Sequence, residues 1–481
     1  MTTSPEHVDV IVVGAGLSGI GAACQLRSHH PGRSVAVLES RAASGGTWDL
    51  FRYPGIRSDS DMFTFGYRWR PWPADTALAD GPLILDYVRT VAREYDVERL
   101  IRYGHRVVGA SWDSDAALWT VRVERDGEPV TLTTNLLWGC SGYYDYEQGY
   151  APEFPGQDDF AGTIVHPQFW PEDLDHTGKR VVVIGSGATA ITLVPAMAGT
   201  AEHVTMLQRS PSYVLSRPGR DPWAVALRRL PQSVRYPVVR WKNILLAVAT
   251  YQLAKARPEL AKKAVRAATA KQLPEGVDVD THFHPTYNPW DQRLCFVPDG
   301  DLFRAMRRGQ ASVVTDTIET FTEKGIRLTS GEELEADIIV TATGLKLLPF
   351  GGIDLEVDGK PVVLNDAMTY KALMLSDVPN FVYTIGYTNA SWTLKADLVS
   401  DFVVRLLGHL DRHGYRTFVA AKDPSVGERP FMDFSSGYVL RALDELPKQG
   451  DRAPWLLKQN YLTDLRTIRN DDLDDGVLAF R

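Results

Sequence analysis

A β-branched run followed by a glycine-rich turn and a helix of small residues is the first clear pattern in the chain. Residues 8–13 read as a buried parallel strand that enters GAGLSG directly, and residues 20–26 are mostly alanine and aliphatic. Such a turn needs Gly14 to bend, Gly16 to let a pyrophosphate approach the backbone, and Gly19 to let the helix pack on the strand. The pattern predicts the first half of a dinucleotide-binding fold, with the helix N-terminus facing the anion.

The acidic residue that this fold requires follows the next strand. Residues 35–38 form a second short apolar run that ends in Glu39, twenty residues after Gly19. A carboxylate at this position accepts hydrogen bonds from ribose hydroxyls. A glycine turn followed by a solvated glutamate is the alternative, but the order strand, turn, helix, strand and acid favours a dinucleotide site.

The same pattern recurs after residue 180. Residues 181–184 form a strand, GSGATA is a G-x-G-x-x-A turn, and residues 191–197 form the helix. The predicted nucleotide contacts in this second turn are Gly185, Ser186, Gly187, Thr189 and Ala190. A chain with two such units is predicted to bind two dinucleotides.

The end of the second strand distinguishes the two ligands. Residues 204–207 lead into Gln208, Arg209 and Ser210, so no carboxylate stands where the first copy has Glu39. An acid favours a free ribose, whereas Arg209 and Ser210 suit a ribose 2′-phosphate. The first unit is therefore predicted to bind FAD and the second NADPH. An exposed, solvated Arg209 is the alternative.

The remaining pattern predicts a helical insert and a return to strands. The Rossmann pattern disappears over residues 212–272, where residues 240–273 read as helices interrupted by Pro258. Strands follow near 313–314 and 337–340, and residues 397–407 carry the apolar stripe of a helix. We predict an α/β fold with two Rossmann-type dinucleotide-binding domains and a helical insert. The predicted segments are 1–147 and 375–481 for FAD, 148–212 and 296–374 for NADPH, and 213–295 for the insert.

Composition excludes several other classes of protein. The 481 residues are 44% hydrophobic and 23% charged, which is ordinary globular usage. Sixty acidic against 52 basic residues give a net charge of −8, which disfavours a nucleic-acid partner because neutralising phosphates requires surplus lysine and arginine. The N-terminal residues lack a signal-peptide pattern, and no apolar run is long enough to span a bilayer. These features predict a cytoplasmic protein.

One segment departs from this charge balance. Residues 212–272 contain thirteen basic and two acidic residues, a net +11 that leaves −19 for the rest of the chain. Basic helices with Trp241, Ile244, Leu245 and Leu246 are compatible with peripheral contact to an anionic membrane. Solvated helix faces that cover a substrate pocket are the preferred alternative.

The three cysteines indicate no redox centre. Cys24, Cys140 and Cys295 lie far apart, so the chain lacks the close pair through which flavin-dependent disulfide reductases relay electrons. All three are interpreted as structural, and no metal site is predicted.

Two further motifs carry a family resemblance. Residues 45–59, GGTWDLFRYPGIRSD, and residues 160–171, FAGTIVHPQFWP, match the fingerprints G-G-x-W with Y-P-G and Asp, and F-x-G-x-x-x-H-x-x-x-W-P. The chain thereby resembles the Baeyer–Villiger monooxygenases. Related flavin-containing monooxygenases usually have Tyr or Phe where this chain has Trp170.

The resemblance implies an FAD- and NADPH-dependent enzyme. Such enzymes use O2 to convert ketones into esters and to oxidise sulfur in sulfides or thioamides, through a peroxyflavin. The implied substrate is a small lipophilic ketone or sulfide. The open alternatives are a flavin-containing monooxygenase restricted to nitrogen and sulfur, and a non-oxygenating NADPH oxidase or nucleotide sensor.

The resemblance also implies site residues. Arg293 falls on the family's catalytic arginine, whose fixed cation would stabilise an oxygen anion, and Asp59 on the carboxylate that orients it. A surface arginine and a turn aspartate are the alternatives. The implied cofactor contacts are Ser18, Gly46, Thr47, Trp48, Asp49, Arg57, Asp59 and Val107, and Asn389, Ser391 and Trp392 are expected to approach the flavin.

Two positions refine this assignment. His166 lies within the second fingerprint and is interpreted as structural rather than as a general base. Gln292 occupies a position where many family members have a lysine for the 2′-phosphate. Binding of that phosphate would then depend mainly on Arg209 and Ser210, so weaker discrimination between NADPH and NADH is expected.

Overall fold

A computed structural model describes residues 4–292, 294–432, 434 and 436–481. The α-helices of this part of the chain are α1 Leu17–His29, α2 Thr47–Leu50, α3 Met62–Phe65, α4 Gly81–Glu94, α5 Ala188–Met197, α6 Pro222–Ala226, α7 Gln232–Ala256, α8 Pro258–Ala270, α9 Val279–Phe283, α10 Asp301–Arg307, α11 Trp392–His413, α12 Gly437–Leu440 and α13 Tyr461–Thr467.

The strands group into two principal sheets and several short pairs. They are β1 Glu6–Val13, β2 Val35–Leu38, β3 Ile101–Arg102, β4 His105–Asp113, β5 Leu118–Arg125, β6 Glu128–Gly139, β7 Tyr144–Gly149, β8 Thr163–Val165, β9 Arg180–Ile184, β10 His203–Gln208, β11 Val214–Arg217, β12 Cys295–Pro298, β13 Ala311–Thr315, β14 Ile318–Thr322, β15 Gly325–Leu328, β16 Glu333–Glu335, β17 Ile338–Thr341, β18 Leu345–Leu347, β19 Asp354–Val357, β20 Lys360–Pro361, β21 Thr369–Tyr370, β22 Met374–Leu375, β23 Phe381–Tyr383, β24 Phe418–Ala420, β25 Glu428–Pro430, β26 Lys448–Gly450 and β27 Leu478–Phe480.

The larger sheet is built around β1. Its order is β20-β19-β4-β5-β6-β1-β2-β3, and β23 pairs with β6. β1 runs parallel to both β2 and β6, so Val10 lies opposite Val35 and Leu136. The apolar run suits this central position, where a strand is buried on both faces. The carboxyl ends of β1 and β2 therefore bring the first glycine turn close to Glu39.

The second sheet is wholly parallel, in the order β13-β10-β9-β17-β8. β9 and β10 are neighbours, with Val181 opposite Val204, and α5 follows β9 as α1 follows β1. The two strand-turn-helix-strand units predicted from the sequence thus each belong to a sheet of their own.

The chain crosses between the sheets twice, and the two crossings pair with each other. β7 follows the larger sheet, β18 follows the smaller one, and they run antiparallel with Leu347 opposite Tyr144. The chain returns to the larger sheet at β19, Asp354–Val357, where it pairs with β4. From the sequence alone, we expected this return later, between residues 374 and 375. The early return follows from packing, because Ile353 and Leu355 are buried in the core of the larger sheet.

Helices α6 to α9 form the insert. The sequence predicted helices broken at Pro258, and α7 ends at Ala256 while α8 begins at Pro258. A proline at the first helical position is tolerated because its missing N–H would have no helical partner. The buried side of α7 includes Tyr236, Val239 and Ile244, which join the core that contains α1.

Helix α11 covers the first nucleotide unit. The sequence indicated only residues 397–407, whereas the helix begins at Trp392 and ends before Gly414, whose φ is +70°. Leu398 and Phe402 pack in the same core as Ile20 and Ala23 of α1. The C-terminal part of the chain therefore completes the first unit.

Candidate active site

A cavity of about 1190 Å³ lies between the two glycine-rich turns. Its wall includes the ends of β1 and β9, the loop at residues 45–60, the tyrosine-rich segment 143–147 and residues 436–439 near the C-terminus. Because both turns open into the same space, two dinucleotides bound there would meet inside it.

The first turn depends on two close backbone approaches. Gly14 has φ +102°, and a Cβ on it would lie 2.7 Å from the carbonyl oxygen of Cys140. A Cβ on Gly19 would lie 1.8 Å from the carbonyl oxygen of Gly14, so helix and turn pack without room for a side chain. Gly16 and Ser18 line the cavity beside them. These are the roles that the glycine spacing predicts.

Glu39 is held at the edge of this turn. Its side chain is buried, and its carboxylate accepts hydrogen bonds from the backbone N–H of Ala15 at 2.8 Å and of Arg41 at 3.0 Å. A carboxylate has about four lone-pair sites, so these two bonds leave acceptor capacity on the cavity side. Glu39 and Val107 both line the cavity.

The first fingerprint forms the loop opposite this turn. Gly46 has φ +56°, and a Cβ there would lie 3.0 Å from Cα of Gly16, so the two loops touch. Thr47 lines the cavity, with its hydroxyl 3.4 Å from the Tyr146 hydroxyl. Trp48 lines it too, and its ring packs edge-on against Phe65 at 5.8 Å. Trp48 is thus both a wall residue and part of the packing.

Four predicted contact residues do not line the cavity in the part of the chain that the structure describes. They are Gly19, Asp49, Ala190 and Gln208. Gly19 and Ala190 pack inside their units, and Gln208 is buried with its amide donating to the His282 carbonyl at 2.8 Å and to the Thr315 hydroxyl at 2.9 Å. Gly19, Ala190 and Gln208 therefore lie behind the residues that form the cavity wall.

Asp49 has a different environment from the one expected. Its buried carboxylate pairs with the guanidinium groups of Arg41 at 2.6 Å, Arg89 at 2.7 Å and Arg52 at 3.2 Å. Three cations around one carboxylate fix the loop through charge-assisted hydrogen bonds. The fingerprint contains Asp49 and Arg52, but it gave no sign that Arg41 and Arg89 would also pair with this carboxylate.

The later part of this loop approaches the second unit. The guanidinium of Arg57 makes two hydrogen bonds to the carboxylate of Asp301 in α10, and the longer one measures 3.4 Å. Arg57 and Asp59 both line the cavity. Burial raises the pKa of the nearby Tyr53 to about 12, while a hydrogen bond with the side chain of Thr189 opposes the shift. The first fingerprint therefore connects the two nucleotide units.

The second turn is more open than the first. Gly185 has φ +135°, and a Cβ on it would lie 2.3 Å from the Ala342 carbonyl oxygen, whereas a Cβ on Gly187 would meet nothing within 4 Å. The Ser186 hydroxyl lies 2.9 Å from that of Ser212. Gly187 therefore leaves open space at the helix N-terminus, where an anion is favoured.

Arg209 and Ser210 are exposed at the rim of the cavity beside this turn. No ion pair to Arg209 is found among the described residues. Gln292 also lines the cavity. The rim therefore offers a free guanidinium where the sequence predicted the 2′-phosphate contact.

The predicted catalytic residue Arg293 lies outside the described residues. On either side of it, Leu294 is buried and Trp290 lies edge-on to Tyr251 of α7, with ring centroids 5.9 Å apart.

A smaller chamber of about 80 Å³ lies beside the cavity. Residues that line both spaces are Asp59, Ser60, Phe296, Thr388 and Ala390. The chamber's remaining wall includes one face of α7, namely Ile244, Ala247, Val248, Tyr251 and Gln252, together with Trp290, Leu294, Asn389 and Ser391. Asp59 therefore stands where the two spaces adjoin.

One polar atom in this wall has no partner in the described structure. The Asn389 amide donates to the Gln459 carbonyl at 2.8 Å, while its Oδ1 is buried without a hydrogen bond. Exchanging the amide atoms would place two oxygens together, so the donor contact defines the orientation. An unpaired buried acceptor is costly, and it suits a ligand that donates a hydrogen bond.

The cavity wall also includes Trp392, which the resemblance implied near the flavin, and Arg441, which no motif contains. Trp392 donates from its indole N–H to the Ser18 hydroxyl at 2.7 Å and stacks on Tyr143 at 5.1 Å. Arg441 lies over the ring of Tyr150, 3.5 Å from its centroid. The tyrosine-rich run GYYDYEQGY, which contains Tyr143 and Tyr150, was the available sequence signal for this part of the wall. Nothing local in the sequence marked Arg441.

His166 does not line the cavity. Its Nδ1 accepts the backbone N–H of Gln168 at 3.2 Å, and burial lowers the pKa of the imidazole below its ordinary value. A Cβ on Gly149 would lie 2.1 Å from the ring, so His166 packs directly on β7. The structural interpretation of this histidine fits these contacts.

All three cysteines are buried. Burial raises the pKa of the Cys140 thiol to about 12, partly opposed by its hydrogen bond to Thr384, and burial also raises that of Cys24. Thiols in such surroundings stay protonated and poorly reactive.

Comparison with known proteins identifies the family. A family model described as flavin-binding monooxygenase-like matches residues 78–380, and one described as an NAD(P)-binding Rossmann-like domain matches residues 12–73. The FAD-containing monooxygenase EthA of Mycobacterium tuberculosis is 57% identical over 478 residues, covering 99% of this chain and 98% of that protein. This chain belongs to the flavin-binding monooxygenase family. EthA of Mycolicibacterium smegmatis is 56% identical over 478 residues, 99% of this chain and 97% of its own.

Solved structures of the family share the fold. An oxidised steroid monooxygenase bound to NADP superposes with a TM-score of 0.72 at 27% identity, covering 87% of this chain and 88% of that one. An open cyclohexanone monooxygenase gives a TM-score of 0.73 at 22% identity, covering 87% and 90%. Family membership and these relatives confirm the predicted α/β flavoprotein monooxygenase of the Baeyer–Villiger type, with FAD and NADPH as cofactors.

The lengths and hydrophobicity of the helices bear on membrane insertion. Within the described residues, none is both long and apolar enough to cross a bilayer.

Proposed function

We propose that the chain oxygenates small lipophilic ketones to esters and oxidises sulfur in sulfides or thioamides, with O2 as the oxidant. The observation that carries the proposal is the position of Asp59, in the wall of both the large cavity and the chamber beside it. Asp59 belongs to the same fingerprint as Gly46 and Arg57, which line the cofactor cavity.

The residues around the first turn fit FAD. The close approach of Gly14 to Cys140 and the small Gly16 keep side chains away from the pyrophosphate path. The free acceptor capacity of Glu39 suits a ribose, while Thr47 and Trp48 provide a wall for the ring system. When bound, the flavin supplies the activation of O2 and the transfer of one oxygen atom.

The residues around the second turn fit NADPH. The open space at Gly187 would admit a pyrophosphate at the N-terminus of α5, and Arg209 with Ser210, which line the same cavity, would bind the 2′-phosphate. Arg57 lies between the turns, where its charge would orient the nicotinamide end.

Arg293 would supply the fixed cation of the reaction, and Asp59 would orient it. A guanidinium stays charged at every working pH, so Arg293 would stabilise the negative charge that develops on oxygen during the reaction. The Oδ1 of Asn389, which is buried in the chamber wall, would accept a hydrogen bond from a substrate donor.

Product analysis tests this function. The holoenzyme is incubated with NADPH and a panel of linear and cyclic ketones and aryl sulfides, and products are identified by mass spectrometry with 18O2. Esters and sulfoxides that carry one labelled oxygen are expected. Sulfoxides without any ester across the panel would instead assign a heteroatom-restricted monooxygenase, and hydrogen peroxide alone would assign an oxidase.

Substitution separates the role of Arg293 from cofactor binding. Arg293→Ala is expected to retain bound FAD and NADPH oxidation but to lose ester formation by roughly a hundredfold or more, the loss typical when one stabilising donor is removed. Arg308→Ala removes an exposed arginine outside the cavity and is the matched control. Unchanged ester formation in Arg293→Ala would refute the assignment.

A further inference from the structure

Helix α7 carries an apolar stripe on its outer side. Large side chains at 40–54% exposure recur at helical spacing and form what we call the outer stripe: Val234, Val238, Trp241, Leu245, Leu246 and Leu253. The adjoining elements add Trp223, Val225, Leu230 and Leu260. Ten of the seventeen exposed large apolar residues found in the described structure thus fall within residues 223–260, which makes a patch rather than scattered exposure.

Free cations surround this stripe. Seven of the thirteen basic side chains of residues 212–272 are engaged, six in ion pairs and Arg217 over the ring of Phe296. Six others are exposed and form no ion pair with described residues: Arg220, Arg228, Arg229, Arg257, Lys263 and Lys271. Arg228 and Arg229 precede the stripe along the chain and Arg257 follows it, so positive charge flanks both ends.

The inner side of the same helix faces the chamber. Ile244, Ala247, Val248 and Tyr251 line the space that adjoins the cofactor cavity at Asp59. One helix therefore has an exposed apolar side and an inner side in the wall of the candidate substrate chamber.

We propose that the outer stripe and its flanking cations dock the enzyme peripherally on an anionic lipid surface. A helix with an apolar side and adjacent lysines and arginines lies in the plane of a bilayer, where apolar burial and attraction to anionic headgroups both contribute. Self-association through the stripe is disfavoured, because a second copy would bring the same free cations together. If the proposed function holds, this docking would let a lipophilic substrate pass from the bilayer to the chamber.

Flotation with lipid vesicles tests the docking without any turnover. The holoenzyme is expected to co-float with vesicles of phosphatidylcholine and phosphatidylglycerol, weakly with phosphatidylcholine alone, and less with the anionic vesicles as salt rises. Failure to co-float with anionic vesicles at low salt would overturn the proposal. Flotation accompanied by no oxygenation would retain the docking and reject the proposed function.

Paired variants assign the surface. Arg228→Ser with Arg229→Ser is expected to lower partitioning by about thirtyfold, since each cation near such a surface contributes about fivefold. Leu245→Ser with Leu246→Ser is expected to lower it at least tenfold. The controls Leu83→Ser and Arg429→Ser alter an exposed leucine and an exposed arginine elsewhere and should change nothing.

Two results would contradict the assignment of this surface. Equal losses in the control variants would show that the docking lies elsewhere. A dimer in sedimentation without lipid that dissociates in the leucine variant would show that the stripe binds a second copy of the chain. Bound flavin, measured by its absorbance, confirms that each variant is folded.

Discussion

At the residue scale, we expect the choice between NADPH and NADH to depend mainly on the guanidinium of Arg209. Arg209 is exposed at the cavity rim, and the neighbouring Gln292 has no charge to share the task. In the first unit, the equivalent strand end carries the buried carboxylate of Glu39 instead. A carboxylate just after β2 and a guanidinium just after β10 therefore distinguish the two nucleotide units.

Removing that guanidinium is expected to weaken NADPH selectively. Arg209→Ser should raise KM for NADPH by roughly ten- to a hundredfold, because a hydrogen bond to a charged group contributes about 1.5–3 kcal/mol. KM for NADH should change little, since NADH lacks the phosphate. Steady-state kinetics with both cofactors measure the effect, and Arg308→Ser is the exposed control. Parallel losses with both cofactors would contradict the phosphate contact.

At the scale of elements, a buried arginine fixes α7 against the first unit. Arg240 donates to the carbonyls of Phe63 at 2.7 Å and Gly66 at 2.8 Å, and pairs with Asp397 of α11 at 3.4 Å. Both side chains of this pair are only 6% exposed, so neither is solvated if the other is lost. The position of α7, and hence of the chamber wall, depends on these contacts.

Loss of this arginine is expected to destabilise the protein strongly. Arg240→Met should lower the free energy of unfolding by about 3–5 kcal/mol, because it removes the cation that pairs with the buried Asp397 and the donor to the carbonyls of Phe63 and Gly66. Arg429→Met, at an exposed position, should change it by less than about 0.5 kcal/mol. Denaturant unfolding followed by tryptophan fluorescence compares the two. A loss below 1 kcal/mol in Arg240→Met would contradict the assigned role.

The partner of Arg240 gives the fold a pH dependence. Burial raises the pKa of Asp397 to about 6, although Arg240 opposes the shift. In the unfolded chain an aspartate ionises near pH 4, so between about pH 4 and 6 the folded state binds more protons. Stability from this group is therefore present below about pH 4 and is lost as pH rises through about 6.

Asp397→Asn removes this titration. The free energy of unfolding of the wild type, relative to the variant, should fall by about 2 kcal/mol between pH 4.5 and 7, because each unit of pKa shift corresponds to about 1.36 kcal/mol and part of the effect is already lost at pH 4.5. Thermal or urea unfolding at both pH values provides the difference. A difference that stays constant with pH would show that Asp397 is ionised throughout.

The sequence predicts those elements whose conformation depends on residues next to each other in the chain. The turns at Gly14 and Gly185 follow a strand and precede a helix, so their spacing alone predicts them. The contact of Trp392 with Ser18, and that of Arg441 with Tyr150, join residues hundreds of positions apart. Such contacts depend on how the sheets are completed by the C-terminal part of the chain, which no motif encodes.

At the scale of the whole molecule, the active site depends on how the two nucleotide units meet. A Cβ on Gly55 would lie 2.5 Å from Cβ of Ala196 in α5, so the first fingerprint packs tightly on the second unit. Arg57 and Asp301 join the same two units, with side chains 9% and 19% exposed. Cofactor binding in each unit is thus linked to a contact between them.

The ion pair between the units allows that link to be tested. Asp301→Asn keeps the shape of the side chain but removes the charge that holds Arg57, so Arg57 should move and position NADPH poorly. We expect kcat/KM for NADPH to fall about tenfold, equivalent to about 1.4 kcal/mol, and more NADPH to be oxidised per molecule of product.

FAD content and far-UV circular dichroism should stay unchanged in Asp301→Asn, because both sheets remain intact. Glu323→Gln, at an exposed turn of the second unit, is the control for removal of an acid. Rapid-mixing measurement of flavin reduction by NADPH distinguishes the outcomes. A normal reduction rate in Asp301→Asn would show that Arg57 is positioned by its own loop and that the contact between the units does not guide the cofactor.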